Sequence, residues 1–76
     1  MVDTQDVMSL IHAYQEELDL SYCCVQRIEK NISFQEEIAD AVNEYISDNN
    51  LQNVSFGKYD PNTDAIVEVI RKKLDY

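Results

Sequence analysis

Four carboxylates near the middle of the chain have a spacing that could carry chemistry. They form what we call the acidic stripe: Glu37, Asp40, Glu44 and Asp48. Their separations of three, four and four residues place them on one face of an α-helix. No Lys or Arg occurs between Lys30 and Lys58. No neighbour in the sequence therefore offsets the repulsion, about 0.2–0.5 kcal/mol for each pair of carboxylates four residues apart.

A one-sided negative surface attracts basic partners and repels polyanions. We therefore expect a protein that binds a basic protein surface and masks or inhibits it, as an inhibitor, an antidote or a mimic of nucleic acid would. The plainer interpretation is a solvated helix face, because helices commonly expose their charged side to water.

The single histidine, His12, is a second candidate for chemistry. It lies four residues before Glu16, so the two side chains can meet on one helix face. A zinc site needs three or four ligands, and we therefore interpret the two residues as a surface pair. The adjacent Cys23 and Cys24 would point about 100° apart on a helix, which strains a disulfide between them, and we expect reduced thiols.

The sequence lacks the common motifs for catalysis or cofactor binding. Its single glycine, Gly57, excludes the Gly-rich loops that hold phosphates. The segment from Asp60 to Asp64 is similar to the start of a calcium loop, but Ala65 and Arg71 stand where that loop needs Gly and Glu. We expect no catalytic residue, no metal and no cofactor, and therefore a protein that is not an enzyme.

Composition narrows the class of partner further. The 76 residues are enough for one domain, and their net charge is −9. Nucleic-acid binding needs clustered Lys and Arg, and the one cluster, Arg71 to Lys73, is outweighed by this charge. The same charge disfavours anionic membranes. Since no secretion signal and no apolar run of transmembrane length are visible, we expect a cytoplasmic protein.

The apolar pattern predicts the elements that must position these residues. From Val7 to Ile32 the core positions alternate by four and three residues, as in a coiled coil or helical bundle, with Ser21 as the one polar member. No Gly or Pro interrupts the pattern. We predict one helix over residues 4–30, with Asp3 or Thr4 as its cap.

Such a helix would be about 40 Å long, which is more than a lone small globule accommodates. We therefore expect a homodimer, and the predicted oligomer interface is Val7, Ile11, Tyr14, Leu18, Val25 and Ile28. The alternative function is a structural or assembly subunit that oligomerises through this heptad pattern, with the acidic stripe only keeping the complex in solution.

Two further helices complete the predicted fold. Ser33 and Glu36 have the spacing of a capping box and predict a second helix over residues 34–48, antiparallel to the first. Residues 49–60 are irregular, and we favour a packed loop over a strand. Asp60 and Pro61 then begin a third helix over residues 61–75. The prediction is an all-α single domain, 1–76: a small dimeric helical bundle with a long N-terminal and a shorter C-terminal helix.

Overall fold

The structure differs from the predicted fold in its N-terminal part, where two helices replace the one long helix. The computed structural model describes residues 1–51 and 61–74. These contain four helices, namely α1 Thr4–Ala13, α2 Tyr22–Glu29, α3 Ile32–Asp48 and α4 Pro61–Leu74. The predicted all-α class is confirmed for the described ranges, where no strand occurs. The predicted helix over residues 4–30 is wrong, because the chain leaves α1 after Ala13 and begins α2 only at Tyr22.

Local hydrogen bonds close the turn between α1 and α2 without Gly or Pro. Asp19 adopts the left-handed conformation, with φ of 54°, which Asp and Asn tolerate better than most residues. The N–H of Asp19 donates to the carbonyl of Glu16, and the N–H of Leu20 donates to the carbonyl of Gln15, both at 3.0 Å. This pair of bonds is a Schellman motif, which satisfies the last carbonyls of a helical turn.

The caps of the first two helices explain where each begins. Asp3 caps α1, as predicted, and its carboxylate accepts a hydrogen bond from the N–H of Asp6 at 2.9 Å. Ser21 caps α2, since its hydroxyl accepts from the N–H of Cys24 at 3.2 Å. The polar member of the heptad pattern is therefore the start of a helix and not an interruption inside one.

Helix α3 corresponds to the second helix of the prediction. It begins at Ile32, two residues earlier than predicted. The side chain of Asn31 accepts from the N–H of Phe34 at 3.0 Å and is the N-cap. The predicted capping box at Ser33 is wrong, because Ser33 already lies in the first turn of α3. The C-terminal end agrees with the prediction at Asp48, after which Asn50 adopts a left-handed φ of 51°.

Six of the heptad side chains lie in the core of the single chain, whereas Ile32 at the end of the pattern is 56% exposed. All six residues of the predicted oligomer interface are buried within one chain, with exposures between 0 and 6%: Val7, Ile11, Tyr14, Leu18, Val25 and Ile28. Because the helix is broken, both parts of the pattern can pack against α3, which contacts each of the other three helices. The structure thus assigns these residues to the core, where an apolar side chain contributes about 1.5–3 kcal/mol, and a second chain is not needed to cover them.

The resulting molecule is a compact globule with extents of 34 × 24 × 21 Å. No helix in residues 1–51 and 61–74 is long and apolar enough to cross a membrane. Three predictions lie outside the described residues. They are a loop rather than a strand up to residue 59, Asp60 as a helix cap, and helix at Asp75. The start of the last helix at Pro61 agrees with the prediction.

Candidate functional site

The acidic stripe lies on the solvent side of α3. All four carboxylates, Glu37, Asp40, Glu44 and Asp48, are exposed. From its first to its last residue the stripe extends about 16 Å along the helix. Ile38 and Val42 point from the same helix into the core, where both are fully buried. The carboxylates therefore share one exposed side of a helix, as their spacing predicts.

Two lysines of α4 lie across from the C-terminal half of the stripe. Glu44 and Asp48 of α3 and Lys72 and Lys73 of α4 line one open groove with a volume of about 400 Å³. All four side chains are exposed. At this end of the stripe, lysines that are distant in the sequence thus compensate the negative charge of the carboxylates. We call this feature the mixed-charge groove.

Less polar residues complete the lining of the mixed-charge groove. Ala41 and Tyr45 come from α3 and Val69 from α4, and each of the three is partly buried. The groove therefore offers apolar contact area as well as charge.

Arg71, which directly precedes the two groove lysines on α4, has a different role. The guanidinium of Arg71 donates a hydrogen bond from Nη2 to the backbone carbonyl of Glu17. Its Nε lies 3.9 Å from Oε1 of Glu68 on the same helix. Arg71 thereby attaches α4 to the turn that follows α1. Of the three consecutive cations, Lys72 and Lys73 alone line the mixed-charge groove.

His12 has a partner, but it is not the predicted one. Its Nε2 lies 2.6 Å from Oε1 of Glu29 on α2, and the side chains are 53% and 45% exposed. Glu16, the predicted partner, follows the end of α1 and lies in the turn. The pair joins α1 to α2 at the surface, and it is an ion pair only when the imidazole is protonated.

The buried side-chain amide of Gln35 helps to position α3, and the sequence analysis did not single it out. Gln35 is 4% exposed, and its Nε2 donates to the carbonyl of Ile28 at 2.7 Å and to that of Glu29 at 3.0 Å. These carbonyls lie at the end of α2, and that of Ile28 also accepts from the N–H of Asn31 at 3.1 Å. Gln35 lies one turn before Ala39 and three residues before Ile38, so the period of the apolar face could have marked it as inward-pointing.

The described residues provide no metal centre. No group of three or more His, Cys, Asp and Glu side chains within them could hold a metal ion. Cys23 is exposed and Cys24 is half-buried, and neither is part of a disulfide.

Comparison with protein-family models, with curated proteins and with solved structures finds no match to this chain.

Proposed function

We propose that this is a non-enzymatic protein that binds a basic protein surface through the acidic stripe of α3 and so masks or inhibits that surface. The observation that supports the proposal is the exposure of Glu37, Asp40, Glu44 and Asp48 on one side of a single helix. Within residues 1–51 and 61–74, the paired basic and acidic side chains are His12 with Glu29 and Arg71 with Glu68, and no stripe carboxylate takes part in such a pair.

The two halves of the stripe differ in what surrounds them. Glu44 and Asp48 share the mixed-charge groove with two lysines, whereas Glu37 and Asp40 do not line it. The N-terminal half therefore presents the less compensated negative charge and is the part that we expect a basic partner to contact first. The overall charge of −9 would also accelerate the encounter with such a partner at low ionic strength.

The alternative, a structural or assembly subunit that oligomerises through the heptad pattern, stays a prediction with less support. It required the heptad side chains to contact another chain, and residues such as Ile11 and Val25 are buried within their own. Assembly through them would require the fold to open. The cytoplasmic location stays a prediction, and the proposal does not depend on it.

The proposal is tested with a defined probe, a fluorescent arginine-rich helical peptide, titrated with the full chain and followed by anisotropy. The variant Glu37→Lys/Asp40→Lys should bind the peptide at least about tenfold more weakly than the wild-type chain. The matched control is Glu16→Lys/Glu17→Lys, which makes the same change in net charge at exposed positions outside the stripe. Equal weakening by both variants would show that only net charge matters and would overturn the proposal.

A further inference from the structure

We propose that the mixed-charge groove is a self-association surface, in which two copies of this chain dock their α3–α4 faces about a two-fold axis. In this arrangement Glu44 and Asp48 of each copy face Lys72 and Lys73 of the other. The inference goes beyond the proposed function. It concerns Glu44 and Asp48, whereas Glu37 and Asp40 are the half of the acidic stripe that we expect a basic partner to contact first.

The charge pattern of the groove identifies the occupant. One wall carries two carboxylates from α3 and the other carries two ammonium groups from α4. A two-fold axis between the walls places the acidic wall of each copy over the basic wall of the other, so the chain is complementary to itself. A purely basic partner would meet Lys72 and Lys73, and a purely acidic one would meet Glu44 and Asp48. A second copy satisfies both walls.

The four charged groups are available for such contacts. Glu44, Asp48, Lys72 and Lys73 are all exposed. None of them takes part in a salt bridge with another described residue. In contrast, Arg71 of the same helix is already bound to the carbonyl of Glu17. The lysines are therefore the cations of α4 that can reach another molecule.

The lining of the groove adds an apolar contribution to the charge complementarity. Ala41, Tyr45 and Val69 are partly buried between the two walls. Aromatic side chains are enriched at the centres of protein interfaces, where they provide contact area with a polar edge. A second copy would remove these three side chains from water and would lower the local dielectric around the charge pairs.

Two physical limits set the expected strength. Each copy carries a net charge of −9, so the whole molecules repel each other, and local pairing must exceed that repulsion. The main apolar side chains of the described residues are already buried within one chain. The association is therefore a weak equilibrium between folded monomers, at the small end of interface sizes.

The test is sedimentation equilibrium of the full chain up to about 0.5 mM, the range in which weak dimers form. We expect the wild-type chain to dimerise. Reversal of the acidic wall, Glu44→Lys/Asp48→Lys, and reversal of the basic wall, Lys72→Glu/Lys73→Glu, should each leave a monomer. An equimolar mixture of the two variants should form a heterodimer, because each then supplies the charge that the other lacks. Circular dichroism checks that both variants remain helical.

The control is Glu37→Lys/Asp40→Lys, which changes the net charge as much as reversal of the acidic wall but leaves the groove intact. We expect it to dimerise at least as well as the wild-type chain. A wild-type chain that stays monomeric at the highest concentration, or a mixture of reversed variants that does not associate, would overturn the inference. Because this control is also the variant that should lose peptide binding, failure of the inference and failure of the proposed function give different results.

Discussion

Asn43 pairs with the backbone of Val2 through both sides of its carboxamide. Its Oδ1 accepts from the N–H of Val2 at 2.8 Å, and its Nδ2 donates to the carbonyl of Val2 at 2.9 Å. Asn43 belongs to α3, and Val2 immediately precedes Asp3, the cap of α1. Two hydrogen bonds thus attach the start of α1 to a helix 41 residues further along the chain.

Asn43→Ala should lower the free energy of unfolding by about 1–3 kcal/mol, because two backbone groups of a buried residue lose their partner. Val2 is 4% exposed, so water replaces the lost bonds poorly. The measurement is urea unfolding followed by circular dichroism. Ser47→Ala, one turn further along α3 at an exposed position, is the control and should change stability by less than about 0.5 kcal/mol. A similar small effect for both variants would contradict the role of Asn43.

The ends of the helices show what local sequence can predict. Asp3, Asp48 and Pro61 each mark an end that the structure also has, because capping and turn preferences act within a few residues. The break after Ala13 could not be predicted from the heptad pattern, since the pattern continues across it from Ile11 in α1 to Val25 in α2. Both are buried in the core whether the helix is continuous or folds back, so their spacing does not distinguish the two.

The candidate site shows which of its features local sequence can predict and which depend on helix packing. The exposure of Glu44 and Asp48 follows from helical periodicity, which is a local property. Their position across a groove from Lys72 and Lys73 depends on how α4 packs against α3, and no periodicity encodes it. Counting charges along the chain therefore overestimated how isolated the negative surface is. The same reasoning paired His12 with Glu16, whereas the fold brings Glu29 to it.

Asp19 provides a test of the break between α1 and α2. It adopts a left-handed conformation, which is unfavourable for residues with a side chain. Asp19→Gly should therefore raise the free energy of unfolding by up to about 1 kcal/mol, and Asp19→Val should lower it by about 1–2 kcal/mol. The same replacement in a helix, Asp40→Gly, should lower stability by a few tenths of a kcal/mol. If thermal unfolding showed a loss of stability for both glycine variants, residue 19 would not be left-handed.

The start of α3 distinguishes the structure from the capping box that the sequence suggests. Asn31→Ala removes the side chain that accepts from the N–H of Phe34, and we expect a loss of about 1 kcal/mol. Ser33→Ala should be neutral or slightly stabilising, because Ser33 lies within the helix, where Ala is the better residue. Urea unfolding of the two variants compares them directly. The opposite order would place the cap at Ser33.

Two isoleucines of the heptad pattern test whether it forms the core of one chain. Ile11 is fully buried, whereas Ile32 is 56% exposed. Ile11→Val should lower the free energy of unfolding by about 0.5–1.5 kcal/mol, since the lost methyl group leaves a small cavity. Ile32→Val makes the same chemical change at the surface and should stay within about 0.5 kcal/mol of the wild-type chain. Both are measured by urea unfolding at low micromolar concentration, far below the concentrations used to detect the proposed dimer. Equal effects would mean that Ile11 is not packed in a monomer, and the heptad pattern would again need a second chain to cover it.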